Sequence, residues 1–356
     1  MNQIRTVFKN ISWVTLSQII TNLCAFFWTI IIARYLGVSD YGILSFVLSL
    51  LMILGIGEDI GTTTYTTREL ARDKNLTEKF INNIFSITLL LSGLLFVFTM
   101  LSLVLLGYDA LTLELVVIIF IETIFLSYCI FLGGVFQAHE NLKPSSIGSI
   151  ICSLCLLIST ILMVYFDLGI LSIAVSYALS YGIFFIYIFR QISISYSIPK
   201  LEFDFDFWKK TIKGSLPFGL TRIFYSIYFS IDVVMISWLS GDYATGLYNS
   251  AYKIISVFTA FYVVYQYVIY PLMSKLYAEN TNLLKISFEQ SVKYSLLILL
   301  PIIVGIYFYS PYIIDLVYSS QYALASVPMQ ILIWTVLFLF INGVASSLLN
   351  SIDKEL

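Results

Sequence analysis

Residues 83–106 read NIFSITLLLSGLLFVFTMLSLVLL, a run without a single charged side chain. A helix of roughly 20 apolar residues is long enough to cross the ~30 Å hydrocarbon core of a bilayer. Nine further stretches of similar length and character occur along the chain, with short polar loops between them. The ten predicted spans are 11–33, 41–65, 83–106, 113–137, 145–165, 170–190, 214–238, 246–270, 291–309 and 326–349. The sequence therefore predicts an all-α, polytopic membrane bundle of about ten transmembrane helices.

The composition agrees with this fold class. Hydrophobic residues make up 59% of the chain and charged residues 11%, whereas soluble domains carry roughly 25% charged residues. The net charge of −2 and the scattered basic residues exclude a nucleic-acid partner. All four cysteines fall within apolar spans, which is typical of core packing, so neither a metal site nor a cofactor is predicted.

The basic residues also predict the orientation. If the N-terminus lies in the cytoplasm, nearly all of the 19 Lys and Arg residues fall in inner segments. Arg34 is the exception in an outer loop, and Arg222 and Lys253 fall within spans. Positive residues accumulate on the cytoplasmic side of membrane proteins. We therefore expect a multi-pass protein of the cell (cytoplasmic) membrane with both termini in the cytoplasm.

A short internal echo suggests two halves. The chain reads YLGVSDYG at 35–42 and WLSGDYATG at 238–246, an offset of about 203 to 204 residues. Six spans separate the copies, so both enter the membrane in the same orientation, as in a parallel repeat. Ordinary turn chemistry could also produce such an echo, because Asp and Gly suit tight loops.

The predicted organisation has two pseudo-symmetric lobes. An N-terminal lobe of helices 1–6 covers 1–190, and a C-terminal lobe of helices 7–10 covers 214–356. Residues 191–213 join them, and the stretch LEFDFDFWKK at 201–210 combines aromatic residues with a basic end. Such an amphipathic segment is expected to lie at the inner membrane interface.

Several segments resemble a known family. They are ARYLGVSDYG at 33–42, DIG at 59–61, RELA at 68–71, QAHENLK at 137–143, GLYNSAYK at 246–253 and YSSQYA at 318–323. Together they resemble the signature of polysaccharide and lipid-linked oligosaccharide flippases, in the superfamily that also contains multidrug exporters. The resemblance implies two six-helix lobes that face each other in a V and open alternately inward and outward. Relative to that pattern the second lobe is short by two helices, so the chain resembles a family member truncated after helix 10.

A flippase must give a charged, sugar-bearing headgroup a polar route through hydrocarbon. Helix 1 offers a polar stripe at helical spacing, formed by Gln18, Thr21, Asn22, Ala25 and Thr29. We expect Gln18 and Asn22 to line a substrate cavity. Hydrogen bonding between helices is the alternative, because Ser, Thr, Asn and Gln commonly serve that purpose in membranes.

Arg222 is the main candidate for substrate binding. It lies early in helix 7, after Pro217, and its planar guanidinium suits recognition of a diphosphate. Its position about eight residues from the inner end leaves a second interpretation, in which the side chain reaches the interface as an anchor.

Asp232 and Lys253 are predicted to lie at one depth on neighbouring helices, each about seven residues from the loop that joins helices 7 and 8. Opposite charges at one depth favour an ion pair. Alternatively, Lys253 has a role in transport: it leaves Asp232 and binds a phosphate of the substrate, and Asn249 adds to the polar surface beside it.

Glu122, near the middle of helix 4, is a candidate for ion coupling, because a carboxyl at that depth could take up a proton or a coupling cation. A structural role for a protonated Glu122 is the alternative.

These residues favour a transporter over an enzyme. The leading hypothesis is a flippase that moves a polyprenyl-diphosphate-linked oligosaccharide by alternating access, for cell-surface polysaccharide synthesis. Its partners would be that lipid-linked substrate, membrane lipids and other proteins of surface-polysaccharide assembly. A drug or small-cation antiporter of the same superfamily is the second reading. A membrane glycosyltransferase or polysaccharide polymerase is the third, but the short outer loops leave no room for its catalytic groups.

Overall fold

The computed structural model describes residues 2–352, with side chains from residue 6 onward other than those at 260, 278 and 281. Most of the described residues are helical, and no strand occurs among them. The α-helices are α1 (Asn2–Leu54), α2 (Thr62–Arg72), α3 (Thr77–Leu105), α4 (Ala110–Ala138), α5 (Lys143–Tyr165), α6 (Gly169–Ser195), α7 (Phe205–Glu279), α8 (Thr281–Tyr318) and α9 (Ser326–Ser351). Short 3₁₀ turns lie at Gly55–Glu58, Lys74–Leu76 and Ser320–Ala325.

Glycine breaks divide the two longest helices. Gly37 interrupts α1 with φ 75° and ψ 179°, and Gly241 interrupts α7 with φ 80° and ψ 178°. Only glycine adopts this conformation readily. Both breaks lie in the two echoed motifs, so the sequence echo coincides with a repeated backbone feature.

The predicted fold class is confirmed. Eight helical segments of the described chain are long and apolar enough to cross a membrane. Counting α1 and α7 as two spans each gives the ten spans expected from the sequence. More than half of the predicted boundaries differ from the observed ones by a few residues, as helix ends commonly do. The larger differences are that α1 begins at Asn2 rather than 11, α7 covers Phe205–Glu279 rather than 214 to 270, and α8 covers Thr281–Tyr318 rather than 291–309.

The second span is the main correction. The sequence predicted one helix over 41–65, but α1 ends at Leu54 and a 3₁₀ turn carries the chain to Glu58. A bend at Asp59 to Gly61 follows, and α2 then begins as a separate helix. Glycines at 55, 57 and 61 weaken the helix here, and Asp59 favours a new helix start because its carboxylate can cap one.

The segment between α6 and α7 is shorter than the predicted linker. Helix α6 continues to Ser195 and α7 begins at Phe205, which leaves 196–204 between them. This stretch is fastened to α3, where the N–H of Lys200 donates to Asn82 Oδ1 at 3.0 Å and that of Asp204 to Asn83 Oδ1 at 3.1 Å. Whether residues in 191–213 lie at the membrane interface stays a prediction.

The chain forms two compact units, one up to Asp242 and one from Tyr243. In the first unit α1 packs on α5, and α4 packs on α6, α2 and α3. A core of large side chains joins α2, α3, α4, α5 and α6, and includes Phe80, Phe131 and Phe136. The lobe boundaries predicted from the sequence stay a prediction.

The second unit is described by itself. Helix α8 packs on α9, and a small core contains Met273, Leu284 and Val344. A partly buried hydrogen bond links α9 to α7 here, in which Ser347 Oγ donates to Gln266 Oε1 at 2.6 Å.

Candidate functional site

An ion pair joins α7 to the bend before α2. The guanidinium of Arg222 contacts Asp59 Oδ2 through Nη1. The two side chains differ in exposure, because Asp59 is 7% exposed and Arg222 is 38% exposed. The guanidinium therefore keeps an open side while its partner is buried.

The second oxygen of Asp59 caps α2. Oδ1 accepts hydrogen bonds from Thr62 Oγ1 at 2.6 Å and from the N–H of Thr63 at 2.9 Å. This satisfies a backbone donor of the first helical turn that would otherwise lack a partner. Both oxygens of Asp59 are thus engaged, so its carboxylate is fixed in the position from which it holds Arg222.

The backbones at this junction approach very closely. Gly61 has φ 75°, and a Cβ added there would lie 2.5 Å from the N of Gly219 and 2.6 Å from the carbonyl O of Ser215. A Cβ on Gly219 would lie 2.8 Å from the carbonyl O of Ile60. Only glycine fits at both positions. This contact sets the distance at which Arg222 meets Asp59.

A second cation lies between α2 and α7. The guanidinium of Arg68, on α2, lies 5.2 Å from the ring centre of Tyr65 and 5.3 Å from that of Phe218 on α7. Both distances suit cation–π attraction. The junction of α2 with α7 therefore combines an ion pair, close glycine contacts and an aromatic-bound cation.

Helix α1 presents the predicted polar stripe. Gln18 and Asn22 are exposed, and Gln18 Nε2 donates to Asn22 Oδ1 at 3.1 Å. Asn22, Thr21 and Ala25 line a cavity of about 490 Å³ between α1, α4, α5 and α6. Thr29 is instead buried and donates to the carbonyl of Ala25. The cavity face of the stripe thus includes Asn22.

Glu122 is buried on α4, with 5% of its surface exposed. It interacts electrostatically with Tyr177, Tyr181 and Cys152, which line the same cavity. Its role in ion coupling stays a prediction.

The other residues predicted to bind substrate are divided between the two units of the chain. Asp232 belongs to the first unit, where its Oδ1 accepts the N–H of Val233 at 2.9 Å. Lys253 and Asn249 belong to the second unit, where Lys253 is exposed and Asn249 is 6% exposed. The predicted pair of Asp232 with Lys253 stays a prediction.

The sequence analysis did not select Glu58 or Asp59. Both acids are buried, and Glu58 is completely so. The signal available was the segment GIGEDIG at 55–61, in which three glycines and two acids interrupt an apolar run. Such a segment within a span indicates irregular backbone, which membrane proteins tolerate only where it is buried or lines a cavity.

The fold and this junction define a polytopic membrane protein with buried ionic groups between its helices, a combination typical of transporters. The family model described as "Polysaccharide biosynthesis protein" matches residues 7–277. The chain belongs to this family, as its sequence motifs predicted. A second model, MatE, matches residues 217–355. No curated protein matches the chain.

Solved structures share the fold at low sequence identity. A lipid II flippase, MurJ, in an inward closed conformation has a TM-score of 0.75 and 16% identity, over 96% of this chain and 76% of that protein. A multidrug resistance MATE family transporter of the MOP superfamily, in an inward-facing conformation, has a TM-score of 0.71 and 15% identity, over 97% of this chain and 85% of that protein. The chain therefore shares the fold of these two proteins.

Proposed function

We propose that this protein moves a polyprenyl-diphosphate-linked oligosaccharide from the inner to the outer leaflet of the cytoplasmic membrane, with both termini in the cytoplasm. The polysaccharide biosynthesis family supports a glycan substrate. The fold, shared with a lipid II flippase, supports transport of a lipid-linked one. Other proteins of surface-polysaccharide assembly would supply and consume this substrate.

Arg222 carries the proposal. A guanidinium has five N–H donors, and among the described residues Asp59 is the one hydrogen-bond partner of Arg222. With 38% of its side chain exposed, Arg222 can offer its free edge to a phosphate while Asp59 holds the other. Paired N–H donors match phosphate oxygens better than a point charge does.

A phosphate bound at this edge then competes with Asp59 for the guanidinium. A diphosphate carries more negative charge than the carboxylate of Asp59, so it can draw the guanidinium away from the α2 junction. Asn22 and Gln18 contribute exposed amides to which sugar hydroxyls can hydrogen-bond. We also propose Asp232, Lys253 and Asn249 as substrate-binding residues, as their sequence positions suggested.

Flipping in cells tests this role. In a prokaryotic strain that lacks its own oligosaccharide flippase, lipid-linked glycan in the outer leaflet is measured for each variant. We expect Arg222→Ala to lower outward movement about 10- to 100-fold, the equivalent of one charged hydrogen bond of ~1.5–3 kcal/mol. Arg222→Lys should retain part of the activity, because it keeps the charge but loses the planar fork.

Arg190→Ala is the matched control, because Arg190 is exposed at the end of α6 and lies outside the site. It should leave outward movement unchanged at equal protein level. Normal flipping by Arg222→Ala would overturn the anion site. Dye efflux by the unmodified chain, without glycan movement, would favour the drug or cation antiporter instead.

A further inference from the structure

Glu58 is a buried acid without a cationic partner. It ends the 3₁₀ turn after α1 and is 0% exposed. Among the side chains that the structure describes, no Lys or Arg forms an ion pair with it. Its polar neighbours are hydroxyl groups, those of Thr123 and Ser127 on α4 and of Ser92 on α3. A bare carboxylate in such a place is costly, so its charge must be neutralised.

The hydrogen bonds of Thr123 indicate how the charge of Glu58 is neutralised. The Oγ1 of Thr123 lies 2.8 Å from the carbonyl O of Phe120 and 3.1 Å from Glu58 Oε1. A hydroxyl has one proton to donate, and a carbonyl can only accept. If Thr123 donates to the nearer carbonyl, the contact with Glu58 needs a proton from the carboxyl. A protonated Glu58 supplies it and accepts at Oε2 from Ser127.

Ser92 supplies the complementary observation. It is 1% exposed and lies next to the carboxyl of Glu58 on the α3 side. Its hydroxyl makes no hydrogen bond of 3.5 Å or less to any described residue. A buried hydroxyl without a hydrogen-bond partner is unfavourable. It becomes useful once Glu58 loses its proton, because the carboxylate then accepts hydrogen bonds only. Ser92 and Thr123 can both turn their hydroxyls towards it.

We infer that Glu58 is a proton-binding site, and that its proton controls how tightly Asp59 holds Arg222. When the O–H bond of Glu58 breaks and the proton passes to water, a carboxylate remains on the residue next to Asp59. The added negative charge attracts the guanidinium and favours the ion pair over a bound diphosphate. Proton binding at Glu58 frees Arg222 for the substrate. This second step, but not the proton site, rests on the proposed function.

Other ionisable groups act on the same carboxyl. Glu122 and Tyr128, both on α4, interact with Glu58 electrostatically, and neither forms a hydrogen bond to it. Asp59 is the next residue in the chain after Glu58, and it forms the ion pair with Arg222. The α3 side contributes the neutral Ser92. Glu122 is therefore the main alternative to Glu58 as the carboxyl that binds the proton.

Infrared difference spectra between acidic and alkaline pH test the site, with the full chain in lipid nanodiscs. A protonated buried carboxyl has its own C=O band. We expect Glu58→Gln to lose a pH-dependent component of that band which Glu122→Gln retains. Glu114→Gln, at an exposed position of α4, should match the unmodified protein. An unchanged band in Glu58→Gln would overturn the proton site.

A second, less disruptive variant tests the same site if Glu58→Gln does not fold. Ser92→Ala removes the idle donor, so the protonated band of Glu58 should persist over a wider pH range. An identical pH profile would overturn the role of Ser92 in the site.

Binding of inorganic pyrophosphate tests the link to Arg222. Its affinity should fall as pH rises in the unmodified protein and become independent of pH in Glu58→Gln. A pH dependence that survives in Glu58→Gln would overturn the control of Arg222 by this proton. Absence of pyrophosphate binding together with the intact infrared component would instead overturn the diphosphate site and leave the proton site standing.

Discussion

Asp59 binds two different parts of the protein with its two carboxylate oxygens: Oδ1 caps α2 and Oδ2 holds Arg222 of α7. The same side chain thus starts one helix and ties another to it. Loss of the ion pair need not unfold α2, because the two functions use separate oxygens.

Substitutions can separate these functions. Asp59→Asn keeps an oxygen for the cap but loses the charge, and should lower the free energy of unfolding by about 1.5–3 kcal/mol. Asp59→Ala also loses the cap, for about a further 1 kcal/mol. Thermal unfolding of the purified protein in nanodiscs measures both effects.

A double-mutant cycle with Arg222→Met isolates the pair. If the ion pair is the cause, Asp59→Asn should have a much smaller effect in the Arg222→Met background. Equal effects in both backgrounds would mean that Asp59 acts through the cap alone.

The glycine contact between the α2 bend and α7 gives the second prediction. Gly61→Ala introduces a Cβ within 2.5 Å of the Gly219 backbone and also strains φ at 75°. We expect a large loss of thermal stability and of flipping, because backbone atoms cannot move aside as a flexible side chain can.

Gly107→Ala is the matched control. Gly107 has φ 78°, but a Cβ there meets nothing within 4 Å. It should show only the conformational penalty, about 1 kcal/mol. Similar losses for both variants would show that strain at φ, rather than the close approach to α7, decides the effect.

The sequence was sufficient for the fold because the relevant signal is local. Helix length, apolar content and the two glycine motifs can be read from consecutive residues. The ion pair could not be predicted in this way, since Asp59 and Arg222 are far apart in the chain. Their meeting depends on the tertiary contact of Gly61 with Gly219. A carboxyl near a basic loop also looks exposed in the sequence, whereas the structure buries Glu58 completely.

His139, between α4 and α5, gives a pH prediction. Its Nε2 lies 2.9 Å from Thr77 Oγ1, and its ring packs on Tyr196 at a centroid distance of 4.4 Å. Burial, with the nearby charge of Lys74 second, lowers the pKa of His139 below its ordinary value of 6.5. The folded state then binds fewer protons than the unfolded state just below that value. Stability should therefore fall as pH drops from about 6.5 through the lowered pKa.

The measurement is the unfolding temperature as a function of pH for the unmodified protein and for His139→Asn. The variant cannot titrate in this range, so its profile should be flatter below pH ~6.5. Parallel profiles would assign the pH dependence to other groups.

Ser319 adopts φ 80° and ψ 171° at the end of α8, nearly the conformation of Gly241 in α7. This conformation strains a residue that has a Cβ by about 1–3 kcal/mol. Glycine instead loses roughly 0.5–1 kcal/mol through the greater conformational entropy of its unfolded chain. Ser319→Gly should therefore raise the free energy of unfolding by about 1 kcal/mol. Gly241→Ser places serine in the same conformation and should lower it by a similar amount, since a Cβ at 241 meets nothing within 4 Å. Thermal unfolding of the two variants checks the opposite signs, and a loss of stability in Ser319→Gly would show that its side chain contributes more than its backbone strain costs.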